Sequence, residues 1–185
     1  MFKKSILILS TISILLFQGC SEDKTKKDPN SMIASSEYVL TDTNNKEYIV
    51  KKIDKGFMLV GAEDKIVIFD IFATWCPPCR GAAQHLSSLQ EKYKDNLIII
   101  GITIEENIQN EKLVEFSKTY NANYILVNSD QNRRLSNAIV KELELGERFP
   151  IPTLAMYKDT KLINHYVGAT EEEFIDSDIR NALGK

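Results

Sequence analysis

The sequence predicts an α/β fold in which a mixed central sheet is flanked by helices. Apolar, strand-like segments alternate with segments whose apolar residues recur at helical spacing. The composition, 43% hydrophobic and 26% charged, is ordinary for a chain that buries a core, and 185 residues suffice for one domain with appendages. The formal net charge of −3, with no basic stripe, argues against a nucleic-acid partner.

The N-terminal segment has the pattern of an export signal. Residues 1–4 carry two lysines, and residues 6–17 are apolar apart from three hydroxyl residues. At about 1.5 Å per residue, this run is shorter than the roughly 30 Å hydrocarbon core of a membrane, which favours a signal peptide over a membrane span. The run ends at Gly19-Cys20, which resembles a bacterial lipobox, in which the cysteine is lipidated.

These residues divide the chain into three parts. We expect a lipoprotein-type signal peptide over residues 1–19, a lipidated Cys20 with a polar, flexible tether over residues 20–36, and one domain over residues 37–185. An ordinary signal peptide followed by an incidental cysteine remains the alternative. Ser21 stands where some Gram-negative lipoproteins have an aspartate that retains them in the inner membrane, so the resemblance leans weakly towards the outer membrane.

The sequence of the first half of the domain predicts a hairpin, a buried strand and a helix. Strands at 38–40 and 48–50 flank Asn44-Asn45, which tolerate the left-handed backbone of a tight turn. After the initial Lys65, residues 65–72 are apolar except for Asp70, as in a central strand covered on both faces. Residues 77–94 show apolar side chains at helical spacing.

The second half continues the alternation. A buried strand at 97–104 precedes a helix at 110–120, and a short strand at 124–127 precedes a helix at 131–143. Two strands at 153–157 and 161–167 form a hairpin at the edge of the sheet, and a helix at 171–183 follows.

The chemistry lies in the run Trp75-Cys76-Pro77-Pro78-Cys79-Arg80. Two cysteines separated by two residues, after a buried strand and at the start of a helix, form a redox arrangement. The prolines suit the first helical turn, where no amide donor is needed. Cys76 at the positive end of the helix should favour its thiolate and attack, whereas Cys79, expected to be more buried, should resolve the mixed disulfide.

Residues 72–80, together with Ile151-Pro152-Thr153, resemble the thioredoxin superfamily, and within it the TlpA/ResA/CcmG-type membrane-tethered thiol–disulfide oxidoreductases. The resemblance runs from Tyr38 to the C-terminus. It implies a thioredoxin-like fold with an N-terminal hairpin and an extra strand–helix insertion at 124–143. It also implies a redox-active Cys76–Cys79 disulfide that works without a cofactor.

The resemblance assigns substrate contacts around the disulfide. Pro152 should be a cis-proline that faces the cysteines, and Ile151 should offer backbone groups to a bound substrate chain. Gly168 should leave room for a partner to approach. The residues expected to touch the substrate beside the disulfide are Trp75, Pro77 and Pro78.

One carboxylate departs from the pattern of this branch. Ala82 and Gln84 stand where the branch often has a glutamate and a proline, whereas Asp70 matches the buried aspartate of thioredoxin itself, six residues before the first cysteine. We expect Asp70 to be buried, to have a raised pKa, and to take the proton of Cys79 during resolution.

The expected function is thiol–disulfide exchange in the bacterial cell envelope. By resemblance, the chain acts as a reductant of oxidised envelope proteins, such as apocytochrome c, with a membrane-embedded electron donor. One alternative is a disulfide-forming oxidase, since the motif does not set the reduction potential. The other is a Cu(I) chaperone of the Sco type, with His165 joining the two cysteines. Sco-like proteins use Cys-x-x-x-Cys, so no metal site is assigned, and His85 is expected to be structural.

Overall fold

A five-stranded mixed sheet forms the centre of the domain in the computed structural model, which describes residues 36–54 and 56–185. The predicted signal peptide, Cys20 and the predicted tether lie outside the described residues, apart from Ser36. The strands are β1 (Glu37–Thr41), β2 (Glu47–Ile53), β3 (Gly56–Leu59), β4 (Ile66–Phe72), β5 (Leu97–Thr103), β6 (Ile125–Val127), β7 (Thr153–Lys158) and β8 (Lys161–Val167). The helices are α1 (Pro77–Lys92), α2 (Asn110–Tyr120), α3 (Asn132–Glu142) and α4 (Glu172–Leu183).

The central sheet has the strand order β6-β5-β4-β7-β8. β4, β5 and β6 run parallel, whereas β7 is antiparallel to β4 and β8 is antiparallel to β7. All seven residues of β4 are buried, because helices or strands cover both faces of the sheet at its centre. The prediction of a mixed sheet with an edge hairpin is confirmed.

A second, three-stranded antiparallel sheet holds β1, β2 and β3 in that order. The predicted turn between β1 and β2 is present, with Asn45 in the left-handed region at φ 63°. The sequence did not predict β3, which has four residues and begins with a glycine. Its position is set by tertiary packing: the Phe57 ring meets Phe69 and Tyr157 edge to face, at centroid distances of 6.3 and 5.6 Å.

The two faces of the central sheet pack against different layers. In β4, alternate residues point to opposite sides. Ile66, Ile68 and Phe72 join a core layer that includes buried residues of α1, α2 and α4. Val67, Phe69 and Ile71 join the other core layer, which includes residues of α3 and of the three-stranded sheet. We call these the cysteine layer and the α3 layer, because Cys76 and Cys79 belong to the first.

The helices of the domain are of ordinary length for a globular protein. Within residues 36–54 and 56–185, none is both long enough and apolar enough to cross a bilayer. The predicted insertion is present as β6 and α3.

Candidate active site

The cysteine pair lies at the start of α1, as the sequence predicted. Cys76 is the N-cap residue, and Pro77 and Pro78 occupy the first turn. Cys76 and Cys79 form a disulfide with their Cα atoms 5.3 Å apart. The backbone amide of Cys79 donates a hydrogen bond to Cys76 Sγ at 3.2 Å. An amide donor and a helix N-terminus both favour negative charge on Cys76 Sγ once the pair is reduced.

The expected difference in burial between the two cysteines is wrong. Cys76 is 2% exposed and Cys79 is 3% exposed, so both are buried in the disulfide state. Cys76 is covered because its Sγ lies 3.7 Å from the carbonyl oxygen of Ile151, on the loop that precedes β7. Helix position, and not accessibility in this state, is therefore what distinguishes the two sulfurs.

The loop before β7 brings together the residues that the resemblance assigned to substrate contact. The Ile151–Pro152 peptide bond is cis, as predicted. The amide of Gly168, directly after β8, donates a 2.8 Å hydrogen bond to the carbonyl oxygen of Pro152. Gly168 has φ +83°, a conformation that L side chains rarely adopt, which gives a backbone reason for glycine here.

An exposed apolar rim borders the disulfide. Trp75 is 59% exposed although it lies next to the buried Cys76. Pro77 and Pro78 are also exposed, and Ile151 is half-buried. A large exposed aromatic beside a reactive pair suits contact with a partner chain.

Asp70 is buried in β4, as predicted, with 2% of its surface exposed. By the alternation of β4, its side chain points into the cysteine layer. Burial raises the pKa of Asp70 to about 7, against the lowering effect of a hydrogen bond from Tyr124. The Tyr124 hydroxyl donates that bond to Asp70 Oδ2 at 2.9 Å. Asp70 Oδ1 is buried and has no hydrogen-bond partner within the described part of the chain.

A clamp that the sequence analysis missed holds the residue before Trp75. Glu105 accepts hydrogen bonds from the amide of Thr74 at 2.6 Å and from the Thr74 hydroxyl at 3.0 Å. Arg80, in the first turn of α1, donates from Nε to the Thr74 carbonyl oxygen at 2.9 Å. Thr74 is thus fixed from both sides, which fixes the direction in which the chain enters Cys76.

The sequence and the fold resemble those of known proteins. The sequence matches the family described as Redoxin over residues 43–183, most of the chain. The chain belongs to the Redoxin family. This membership, together with the cysteine pair, confirms the predicted class, a thioredoxin-like oxidoreductase.

The proteins that this Redoxin-family chain resembles include a thioredoxin, by sequence, and two thiol–disulfide proteins, by fold. It is 38% identical over 56 residues to Thioredoxin-T of Drosophila melanogaster, an alignment that covers 30% of this chain and 36% of that relative's length. It is similar in structure to a thiol:disulfide interchange protein DsbE from Chlorobium tepidum, with a TM-score of 0.59, 18% identity, and 81% of this chain and 95% of that one covered. A secreted disulfide oxidoreductase of Mycobacterium tuberculosis, homologous to Escherichia coli DsbE, gives a TM-score of 0.56 at 15% identity, with 80% and 98% covered. These two structures support the thioredoxin-like fold.

In this Redoxin-family chain, His165 does not lie with the two cysteines, as a copper site of the Sco type would require. His165 is in β8, directly opposite Ala155, and Ala155 belongs to the α3 layer. Directly opposed residues of neighbouring strands point to the same face, so His165 lies on the other side of the sheet from Cys76 and Cys79. His85 is half-buried in α1. The described residues contain no group of three or more His, Cys, Asp or Glu side chains that could hold a metal ion.

Two signals in the sequence pointed to the residues that were missed. Glu105 follows the end of β5, and Thr74 follows the end of the parallel strand β4, so both side chains lie at the same edge of the sheet. Gly101 is a glycine inside the apolar strand β5, and such a residue often marks a close approach by another group. The groups that approach are the Leu126 side chain and the Tyr124 ring, 2.7 and 3.0 Å from where a Cβ would lie.

Proposed function

We propose that this protein reduces disulfides of extracytoplasmic bacterial proteins by exchange with Cys76 and Cys79. The observation that carries the proposal is the disulfide-forming pair at the N-terminus of α1, beside the carbonyl oxygen of Ile151. The structural relatives support an extracytoplasmic location, since one is a secreted disulfide oxidoreductase and another is a thiol:disulfide interchange protein.

The reaction takes two exchange steps. In the reduced protein, the Cys76 thiolate attacks one sulfur of the substrate disulfide, forms a mixed disulfide and releases the other substrate sulfur as a thiolate, which takes a proton from solvent. Cys79 then loses its proton to Asp70, and its thiolate attacks Cys76 Sγ. The Cys76–Cys79 bond forms as the bond between Cys76 Sγ and the substrate sulfur breaks. That sulfur leaves as a thiolate and takes a proton from solvent, so the substrate is released as a dithiol. Two electrons have moved from this protein to the substrate.

The buried carboxylate suits the second step. Asp70 lies in the same core layer as Cys79, and its pKa of about 7 places its titration in the neutral range. A base with such a pKa can accept a proton during resolution and release it afterwards. The substrate chain would lie in an extended conformation along Ile151 and Pro152, with Trp75, Pro77, Pro78 and Gly168 around it.

The proposal also includes an anchor and an electron supply. Because the envelope of bacteria is oxidising, a reductant there must itself be reduced again, and a membrane-embedded donor would do this. Lipidation of Cys20 would hold the domain close to that donor. An apocytochrome c, whose cysteines must be reduced before haem attachment, is the substrate class that the resemblance favours. The reaction needs no cofactor besides the cysteine pair.

The reduction potential tests the direction. The full chain is equilibrated with glutathione buffers of increasing oxidising strength, and the fluorescence of Trp75, the single tryptophan, reports the state of the neighbouring pair. A reduction potential of about −250 mV for the cysteine pair supports a reductant. A potential of about −120 mV, in the range of strong oxidants, would make the protein a disulfide-forming oxidase. A Cys76→Ser, Cys79→Ser double variant is the control, because its fluorescence should not respond to the buffer.

A further inference from the structure

Asp70 and Tyr124 form an isolated polar pair in the cysteine layer. The Tyr124 hydroxyl donates to Asp70 Oδ2 at 2.9 Å, and both residues are buried. The contact joins β4 to the residue directly before β6, although β5 lies between those two strands. The tyrosine ring must therefore pass over β5 to reach the carboxylate.

A glycine in β5 makes that passage possible. Gly101 is directly opposite Asp70 in the parallel pairing of β4 and β5. A Cβ at Gly101 would lie 3.0 Å from Tyr124 Cε2 and 2.7 Å from Leu126 Cδ2. A larger residue at this position would therefore force the Leu126 side chain to move and would require the Tyr124 ring, which holds Asp70, to shift by a few tenths of an ångström. The missing side chain at Gly101 thus leaves room for the Tyr124 ring, whose hydroxyl reaches Asp70.

The two oxygens of the Asp70 carboxylate differ as a result. Oδ2 accepts from Tyr124, whereas Oδ1 is buried without a hydrogen-bond partner in the described residues. An unpartnered buried carboxylate oxygen is costly, and a catalytic role is one of the reasons for which a protein keeps such a group.

Several other ionisable groups around this layer have partners elsewhere or belong to the reaction, whereas His85 Nδ1 is buried without a hydrogen-bond partner among the described residues. Tyr93, directly after α1, donates to Asp176 of α4, and Tyr166 of β8 donates to Asp178 of α4. The residues directly opposite Asp70 are Gly101 on β5 and Leu154 on β7, neither of which is ionisable. The buried side chains that α2 and α4 contribute to the cysteine layer are apolar. The remaining ionisable groups at or near the start of α1 are Cys76, Cys79, Arg80, His85 and, across from Thr74, Glu105.

We propose that Tyr124 is a positioning residue that holds Asp70 through Oδ2 and thereby presents Oδ1 as the acceptor of the Cys79 proton. This inference rests on the proposed function, in which Asp70 takes that proton. In this role Tyr124 acts through Asp70. Gly101 supports the arrangement by giving the tyrosine ring its place.

The direction of the effect follows from the hydrogen bond. A donor to Oδ2 stabilises the ionised carboxylate more than the protonated one, so removing it favours the protonated form. In Tyr124→Phe, the pH at which Asp70 ionises should rise by about one unit, the size expected for a bond to a charged group. At pH 7, resolution should slow about five-fold, because fewer molecules hold an ionised Asp70. At pH 9, the rate should return to that of the wild type.

Two measurements on the full chain test this. The first follows the Asp70 carboxyl directly in the oxidised protein by ¹³C NMR of labelled aspartate, assigned with the Asp70→Asn variant, across pH 5–10. The second follows the rate of mixed-disulfide resolution over the same pH range. Tyr157→Phe is the matched control: Tyr157 is also buried and its hydroxyl also donates to a carboxylate, Glu142, but it lies in the α3 layer.

The outcomes separate this inference from the proposed function. The inference is supported if the midpoints of the Asp70 titration and of the resolution rate rise in Tyr124→Phe and stay unchanged in Tyr157→Phe. It is also supported if Tyr124→Phe has no effect on resolution in a protein that already carries Asp70→Asn. An unmoved Asp70 titration in a folded Tyr124→Phe protein would overturn the inference and leave the proposed function intact. If Asp70→Asn alone leaves the pH profile of resolution unchanged, the proton-acceptor role fails instead, whatever the NMR titration of Tyr124→Phe shows.

Discussion

The backbone amide of Thr74 donates a 2.6 Å hydrogen bond to Glu105 Oε2, which ties the end of β4 to the end of β5 just before the reactive cysteine. The same oxygen accepts from the hydroxyl of Thr103 at 3.1 Å. Because Glu105 is half-buried, water would replace its hydrogen bond to the Thr74 amide only in part if the carboxylate were removed. The carboxylate is thus part of the support for the cysteine loop.

Glu105→Ala should therefore destabilise the oxidised protein by about 1–3 kcal/mol, because it removes an ionised acceptor from Thr74 and Thr103. Urea unfolding at pH 7 measures the loss. The neighbouring Glu106 is a matched control, since it is exposed and forms a surface ion pair with Arg133. Glu106→Ala should cost less than about 1 kcal/mol. Equal losses in the two variants would show that the clamp on Thr74 contributes little.

Asp70→Asn should stabilise the oxidised protein, and increasingly so as the pH rises. Asp70 has a pKa of about 7 in the folded protein, against 3.8 for its ordinary value. Above pH 4 the unfolded chain ionises this group while the folded protein keeps its proton, so wild-type stability falls with pH until about pH 7. The gain in Asp70→Asn should approach roughly 4 kcal/mol at pH 8 and vanish near pH 4. Urea unfolding at both pH values measures it.

Asp176 provides a control of opposite sign for that experiment. Burial acts to raise the pKa of Asp176, but hydrogen bonds from Lys92 and Tyr93 outweigh it, so the pKa is lowered overall. Its ionised form therefore stabilises the folded protein above the ordinary pKa, and this contribution is lost as the pH falls through the lowered value. Asp176→Asn should thus be less stable than the wild type at pH 8. A stability difference for Asp70→Asn that is the same at pH 4 and pH 8 would mean that Asp70 titrates normally.

Much of this fold was predictable from local pattern, and the exceptions have a common cause. The strand at 65–72 was recognisable because the residues on both sides of Asp70 are apolar. The burial of Asp70 was predicted from the same apolar residues. The cysteine pair at a helix start was recognisable from Pro77 and Pro78, whereas the cis-proline at Pro152 was implied by the family resemblance. In contrast, β3 forms because Phe57 finds Phe69 and Tyr157, which are distant in the chain.

The missed residues of the site depend on which strands become neighbours. Glu105 meets Thr74 because β4 and β5 are adjacent and parallel, and Tyr124 meets Asp70 because β6 adds to the far side of β5. Strand order and register are properties of the assembled sheet, and periodicity along one strand does not contain them. The equal burial of the two cysteines likewise depends on Ile151, which lies 75 residues from Cys76.

The predicted anchor can be tested with Cys20→Ser. If Cys20 is lipidated, fatty-acid labelling in a bacterial host should be lost in this variant, and the domain should be released from membranes with unchanged disulfide exchange. Gel fluorography of labelled cells and fractionation measure both effects. Labelling that persists in Cys20→Ser would refute the lipobox prediction, and an ordinary signal peptide would then account for the N-terminal pattern.

The copper alternative predicts a different dependence on His165. Because His165 points into the α3 layer and the cysteines lie in the other layer, His165→Ala should leave disulfide exchange unchanged. Titration of the reduced protein with Cu(I) against a competing chelator should give the same affinity with and without His165. Tight Cu(I) binding that His165→Ala abolishes would favour the chaperone over the oxidoreductase.

The roles of the two cysteines can be separated by trapping. Cys76 Sγ accepts the amide hydrogen bond at the helix N-terminus, so its thiolate is favoured and should attack the substrate. Without Cys79 the mixed disulfide cannot be resolved, and Cys79→Ser should accumulate covalent adducts of Cys76 with partner proteins. Cys76→Ser should accumulate at least about ten-fold fewer, because Cys79 lacks that hydrogen bond and lies within α1. Non-reducing gels of the two variants, with the double variant as a blank, measure the difference. Equal trapping would mean that either sulfur can attack first, and the assignment of Asp70 to the proton of Cys79 would lose its basis.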